Sequence, residues 1–252
     1  DNFFSRSAIG IPRDFLSRLT RSDASCRTSS AFLRTASERT RVFSGRHEAG
    51  KILGAFLLSL PPIREPLVLA IPAGGVPVGK EIAAALDAPL SLAIVRKVRI
   101  PGTTEAGFGA VTWDGTVLIN ERLRDALFLS DPDVERAVNE TYTNVRERVT
   151  RFMAGKPMPS VAGKTVILTD DGLASGFTML AAIRSIRAKR PACVVVAVPT
   201  ASRSSAERVS READQLVCLN IRSGGSFAVA DAYDEWYDLD DREVLAELVG
   251  VP

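Results

Sequence analysis

The sequence predicts an α/β domain built on a mostly parallel sheet with helices on both faces. Three observations carry this. Short unbroken apolar runs at 67–71 (LVLAI), 165–169 (TVILT) and 192–198 (ACVVVAV) have the length and β-branched content of buried strands. Between them lie longer stretches whose apolar residues recur at helical spacing. Turns rich in glycine and proline separate the two kinds of segment, and such alternation is what a parallel sheet covered on both sides produces.

Residues 1–41 stand apart. They carry arginines at 6, 13, 18, 21, 27, 34, 39 and 41, only Asp1, Asp14, Asp23 and Glu38 as acids, and much serine and threonine. That composition fits an organellar transit peptide, a disordered tail, or residues read from upstream of the true start. The domain itself is expected over 42–252. Ala49, Ile52, Leu53, Phe56, Leu57 and Leu60 then share one helical face, which Pro61 and Pro62 end. Pro66 leads into the strand at 67–71, and Gly74 and Gly75 turn the chain into a helix over 78–86. Residues 90–95 read as one strand ending in Arg96 and Lys97, followed by a polar loop over 98–106 (VRIPGTTEA). Residues 107–113 and 116–120 flank Asp114 and Gly115, a hairpin signal because glycine readily takes the positive φ of tight turns.

Asp131 and Pro132 read as N-cap and first-turn residue of a long helix striped by Val134, Val138, Tyr142, Val145 and Val149. The second half alternates more plainly: strand 165–169, turn 170–176, helix 178–188, strand 192–198, helix 202–211 and strand 216–219. Asp240 and Glu243 have the spacing of a capping box for a last helix. Ligands of such sheets sit beyond the carboxyl ends of the strands. A site is therefore expected at the turns after Ile71, Val95 and Thr169.

Composition narrows the chemistry. The 32 basic and 30 acidic residues leave a formal charge of +2, which argues against a protein that coats nucleic acid or a membrane surface. No apolar run approaches the roughly 18 residues of a membrane span. Cys26, Cys193 and Cys218 form no CxxC, so neither a disulfide framework nor a zinc site is expected. His47, the single imidazole, lies between Arg46 and Glu48 on what reads as the polar side of a helix, and no G-x-S-x-G elbow exists to receive it. Gly74, Gly79 and Lys80 come near a phosphate-binding P-loop. However, Glu81 stands where a magnesium-binding hydroxyl belongs, and Pro77 removes an amide. Chemistry is left to carboxylates, backbone amides and cations.

Residues 166–178 (VILTDDGLASGFT) are the most informative segment. A buried strand ends in adjacent carboxylates, Asp170 and Asp171, and a turn of small residues feeds straight into a helix. Amides from Ala174 through Ser175, Gly176 and Phe177 to Thr178 could form an anion nest at the positive end of that helix, with Ser175 and Thr178 adding hydroxyls. Two carboxylates beside an anion nest suit a sugar phosphate.

This stretch resembles the binding signature for 5-phosphoribosyl-1-pyrophosphate (PRPP) of the type I phosphoribosyltransferases, a hydrophobic strand running into Asp-Asp and A-[ST]-G-x-T. Residues 70–83 (AIPAGGVPVGKEIA), 94–111 (IVRKVRIPGTTEAGFGAV) and 227–241 (FAVADAYDEWYDLDD) extend the likeness to a bacterial and archaeal subgroup of unassigned substrate, covering about residues 42–248. The resemblance implies that Asp170 and Asp171 contact the ribose hydroxyls and that loop 174–178 holds the 5′-phosphate. It implies a pyrophosphate loop at Ala73, Gly74 and Gly75, with Arg96 and Lys97 preceding a mobile loop. Asp170, Asp171 and Lys97 are then the catalytic candidates. A small C-terminal hood would face the acceptor, with Phe227, Val229, Tyr233, Trp236 and Tyr237 as candidates by position. Two residues depart from the pattern: Gly172, where an aliphatic residue is usual, and Ala73, where the subgroup commonly has Arg.

Further implications are transfer of the phosphoribosyl group to a nitrogenous base or similar small acceptor, a magnesium ion (Mg2+) held by PRPP and water, a homodimer, and a cytoplasmic place in nucleotide salvage. No nucleic acid or membrane partner is expected. A PRPP- or nucleotide-sensing regulator that keeps the fold without turnover is the alternative. A weaker third reading is a nucleotide hydrolase using the same acids.

Overall fold

The computed structural model describes residues 40–101, 106–224 and 226–249. Strands β1 (Pro66–Ala70), β2 (Leu90–Leu92), β6 (Thr165–Thr169), β7 (Cys193–Ser202) and β8 (Gln215–Arg222) form a parallel sheet in the order β2-β1-β6-β7-β8. Strands β3 (Val95–Arg99), β4 (Gly107–Thr112) and β5 (Val117–Ile119) form a smaller antiparallel sheet.

Side chains alternate across a strand, and the parallel sheet uses both sets. Leu67, Leu69, Val166, Leu168, Val194, Val196 and Val198 bury one face against α5 (Phe177–Arg187) and α6 (Arg203–Ser210), through Met179, Ile183 and Val209. Val68, Ile167, Val195 and Ala197 bury the other against α1 (Arg46–Leu58) and α2 (Gly75–Leu86), through Leu53, Phe56, Val78 and Ile82. Each such Val, Leu or Ile contributes about 1.5–3 kcal/mol on burial, so both faces are committed. Helix α4 (Asp131–Met153) closes a third apolar layer, Val145 and Phe152 meeting Val98, Phe108 and Val111. Short helices α3 (Glu121–Ala126) and α7 (Asp241–Glu247) and a 3-10 turn (Val229–Ala232) complete the described elements.

The hairpin expected at 107–120 is present, with Gly115 at φ +85° and the Asp114 carboxylate accepting from the Thr112 hydroxyl at 2.6 Å. The capping box on α7 is present as well: Asp240 accepts from the Glu243 amide at 2.8 Å, and Glu243 from the Asp240 amide at 2.8 Å. Three expectations need correction. Residues 90–95 are not one strand, because the chain leaves the parallel sheet after Leu92 and enters the antiparallel sheet at Val95. Leu92, Ala93, Ile94 and Val95 are all buried, so no change of pattern marks the switch. Arg96 and Lys97 consequently lie within β3, opposite Val111 and Ala110, rather than at a strand end. Ser130, not Asp131, caps α4, because its hydroxyl faces the Asp133 amide while Asp131 is already helical.

Of loop 98–106, Val98 and Arg99 belong to β3, and residues 102–105 lie outside the described residues, as do 1–39. The amides of Arg41 and Val42 bond Asp231 O and Ala232 O, so this stretch pairs with the segment around the 3-10 turn. Lys80 pairs with Glu247 at 3.0 Å. No described helix is long and apolar enough to cross a membrane.

Candidate functional site

The strand order places a crevice. From β1 the chain steps outward to β2, then returns past β1 to β6, so the loops leaving β1 and β6 diverge at a topological switch point. Their register brings Ala70 opposite Thr169, and Ile71 N donates to Thr169 O at 2.9 Å. The loop after β1 therefore lies directly on the acids that end β6. A Cβ on Gly74 would sit 1.8 Å from Asp171 Oδ2, and one on Gly75 would sit 2.9 Å from Asp170 Cα. Only a backbone without side chains approaches the acids this closely. The Pro72–Ala73 peptide in this loop is cis.

Over the crevice lies a cavity of about 430 Å³, within the usual range for small-molecule sites. Of the residues expected from sequence, Ala73, Gly74, Arg96, Lys97, Asp170, Asp171, Ala174, Ser175, Gly176, Thr178, Val229 and Trp236 line it. Gly75, Phe177, Phe227, Tyr233 and Tyr237 are not among its lining. Gly75 starts α2 behind the loop. Phe177 lies beneath the Arg208 guanidinium, 5.4 Å from its ring centre, and Phe227 lies similarly against Arg222 at 5.5 Å. Tyr233 is 3% exposed and packs between Phe43 and Trp236. Its hydroxyl donates to Asp171 O at 2.6 Å, so it supports the acids rather than offering a ring face.

The turn after the acids is held from outside the cavity. Leu173 O accepts from the Ser202 amide at 3.2 Å and the Ser205 hydroxyl at 2.7 Å. Ala174 O accepts from the Ser202 hydroxyl at 3.2 Å, and Ser175 O from Arg208 Nη1 at 2.6 Å. In a planar trans peptide the N–H points opposite to the C=O. With these three carbonyls drawn toward α6, the amides of Ala174, Ser175 and Gly176 are turned the other way, and those residues line the cavity. Gly176 is the N-cap of α5 at φ +77° and brings no side chain, and the Phe177 amide reaches only the Ser175 hydroxyl at 3.5 Å, an arrangement suited to an anion at that terminus. At Gly172 the departure from the family pattern has a steric cause. A Cβ there would meet Val229 Cγ1 at 2.6 Å and Thr200 Cγ2 at 2.9 Å, because Val229 fills the space.

Burial holds the Asp170 carboxyl well above the usual carboxylate range, and the neighbouring Asp171 charge adds to this. Burial raises Asp171 too, but Arg46 opposes the rise with its charge and a hydrogen bond. Burial and the nearby Arg148 charge lower Arg96. The cavity thus has an acidic floor, a rim of amides and a basic side formed by Arg96, Lys97 and Arg148.

Arg46 and Arg148 are absent from the expected set, yet both line the cavity. Each left a signal in the sequence. Arg46 precedes Ala49, Gly50 and Leu53 by three, four and seven positions, and these residues are the buried face of α1. Arg148 falls three after Val145 and four before Phe152, the two buried positions of α4. A cation at helical spacing on an apolar face requires a partner inside the fold. Arg148 is 16% exposed at its side chain and pairs with Asp241 at 3.2 Å, while its buried Nε has no hydrogen-bond partner among the described residues.

The fold and this crevice define a class. Residues 57–232 match the phosphoribosyl transferase domain, and the chain belongs to that family. It is 33% identical over 208 residues to proteins from two strains of Mycobacterium tuberculosis that are named, provisionally, as phosphoribosyl transferases. That match covers 82% of this chain and 46% of theirs, so the chain spans about half the length of the curated relatives it matches. A crystal structure of a Thermus thermophilus protein, 34% identical, aligns with a TM-score of 0.68 over 83% of this chain and 98% of that one.

Proposed function

We propose that the protein transfers the phosphoribosyl group of PRPP to a nitrogenous acceptor with release of pyrophosphate. One observation carries this reading: an acidic pair, a run of inward-facing amides and a basic side meet in a single cavity at the switch point. The 5′-phosphate would lie in the amides of 174–178, and the ribose hydroxyls on Asp170 and Asp171. Pyrophosphate would lie between the Ala73–Gly75 loop and Arg96 and Lys97. Arg148 supports the same end, offsetting the cation that Ala73 lacks.

In the reaction, a bond forms from the acceptor nitrogen to the anomeric carbon as the bond from that carbon to the pyrophosphate oxygen breaks. The bonding pair leaves with pyrophosphate, and the proton of the acceptor nitrogen passes to the departing pyrophosphate, directly or through water. Positive charge grows on the ribose, and a carboxylate beneath it is worth most at that moment. Burial raises both carboxyls, Asp170 the more strongly, and the Arg46 contact favours the charged form of Asp171, so the two acids would meet the ribose hydroxyls unequally.

Among the described residues no group of three or more His, Cys, Asp or Glu could hold a metal. A magnesium ion carried by the oxygens of PRPP and by water would neutralise diphosphate charge. Trp236 and Val229 are the hood residues that face the acceptor side. A sensing role without turnover is the second reading, favoured by Ala73 and by the guanidinium of Arg46 already lying 4.0 Å from the Trp236 ring centre.

Gly176→Val tests the phosphate site. Residue 176 has φ +77°, which a β-branched residue resists, and its Cβ would press on Val209 Cγ2 at 3.3 Å. The variant is expected to fold while losing the thermal stabilisation that PRPP with magnesium gives the wild type. Unchanged stabilisation would place the phosphate elsewhere and remove the basis of the proposal.

A further inference from the structure

Arg46 lies outside the segments that carry the family likeness, yet its side chain is 7% exposed and makes three contacts with residues inside them. Its Nε donates to Asp171 Oδ2 at 2.9 Å, its Nη1 donates to Tyr237 O at 2.9 Å, and its guanidinium stacks on Trp236 at 4.0 Å. Arg46 is also the first residue of α1, where the helix dipole disfavours a cation. Burial and position both cost free energy, and neither helps α1 to form. The compensation lies at the other end of the side chain, in the acidic pair and the hood.

We infer that Arg46 is the positioning residue of the acidic pair: it fixes the orientation of Asp171 under the ribose, and it ties that carboxylate to the acceptor wall at Trp236 and to the main chain of Tyr237. The inference deepens the transferase reading and rests on it. Asp171 is confined on its remaining sides. The Gly74 backbone is too close for the carboxylate to turn toward the β1 loop, and the Tyr233 hydroxyl holds its main-chain oxygen. The charged and titratable groups around it are Asp170 beside it, Arg46 from α1, Tyr233 from the hood with Cys218 of β8 behind it, and Arg96, Lys97, Arg148 and Asp238 across the cavity. Arg46 donates a hydrogen bond to Asp171, and it opposes the upward pull of burial on that carboxyl. Arg46 touches acid and hood at once, so a displaced hood disturbs the ribose acids and the reverse.

The test uses the full chain with Arg46→Met and Arg46→Lys, measuring PRPP–magnesium binding by calorimetry from acid to alkaline pH. Without the guanidinium, Asp171 takes up its proton at higher pH. The acid limb of binding should therefore move toward alkaline pH in Arg46→Met, with affinity about 10- to 100-fold lower at neutral pH, the scale of losing a group that orients a reactive side chain from behind. Affinity should recover as pH rises, and Arg46→Lys should restore the wild-type limb. A packing role alone would lower the melting temperature and leave the limb where it is, and that result overturns the inference. Should Arg46→Met not fold, Arg46→Gln carries the same expectation, since it keeps donors without charge. Failure of wild-type protein to bind PRPP would instead defeat the transferase reading. The Arg46 claim would then stand or fall on a carboxyl-carbon NMR titration, in which Asp171 must move to higher pH in the variant.

Discussion

Lys97→Ala is expected to slow pyrophosphate release from PRPP by roughly 10- to 1,000-fold, the scale of losing one electrostatic stabiliser of a transition state. PRPP binding should weaken far less. Lys97 lies on β3 at the basic side of the cavity, next to Arg96 and across from the acids. The charge it would meet grows as pyrophosphate departs, so its contribution is larger in the transition state than in the bound substrate. Asp171→Asn should differ by damaging binding and turnover together, because that carboxylate would orient the ribose and steady its developing charge. The assay is pyrophosphate release with magnesium against a panel of purines, pyrimidines and smaller heterocycles. If wild-type protein binds PRPP yet no acceptor raises turnover above the Lys97→Ala background, the protein is a sensor.

Gly74→Ala should abolish PRPP binding within the measurable range and destabilise the fold by about 1–3 kcal/mol, the usual cost of forcing one extra carbon into a filled space. Its Cβ would lie 1.8 Å from Asp171 Oδ2 and 2.4 Å from Cγ. A carboxylate at the end of a free side chain would swing aside, but Arg46 holds this one at 2.9 Å and the Tyr233 hydroxyl holds its backbone. The loop after β1 must therefore lift from the acids and open the pyrophosphate side. Thermal melts with and without PRPP read both effects. Wild-type binding in the alanine variant would mean that the loop and Asp171 do not share a ligand.

Part of the site is legible in the amino-acid sequence. The acids and the small-residue turn are contiguous from Asp170 to Thr178, and a strand, a turn and a helix start are local features of backbone chemistry. Lys97 and Arg96 are legible as a basic pair, though not as part of a second sheet, since the apolar run 92–95 continues unbroken across the switch. The hood reads less well. Aromatic residues close in sequence do different jobs there: Trp236 faces the cavity, Tyr233 is buried behind it, and Phe227 lies against Arg222. Composition cannot separate a ring that packs from a ring that is offered.

By itself the sequence determined the α/β class, the strands that fill the sheet on both faces and the loop that begins α5, because apolar period, turn residues and helix starts depend on neighbours a few positions apart. Tertiary structure alone decided which cations meet the acids. Arg46 and Asp171 are 125 residues apart, and Tyr237 lies 191 beyond Arg46. Their contact depends on the β1–β6 pairing, on the packing of α1 against the sheet and on the return of the hood to residues 41–43. A buried arginine shows in the sequence as a cation at the wrong place on a helix; which carboxylate answers it depends on how the whole chain packs, since charges in low dielectric select partners by distance in space.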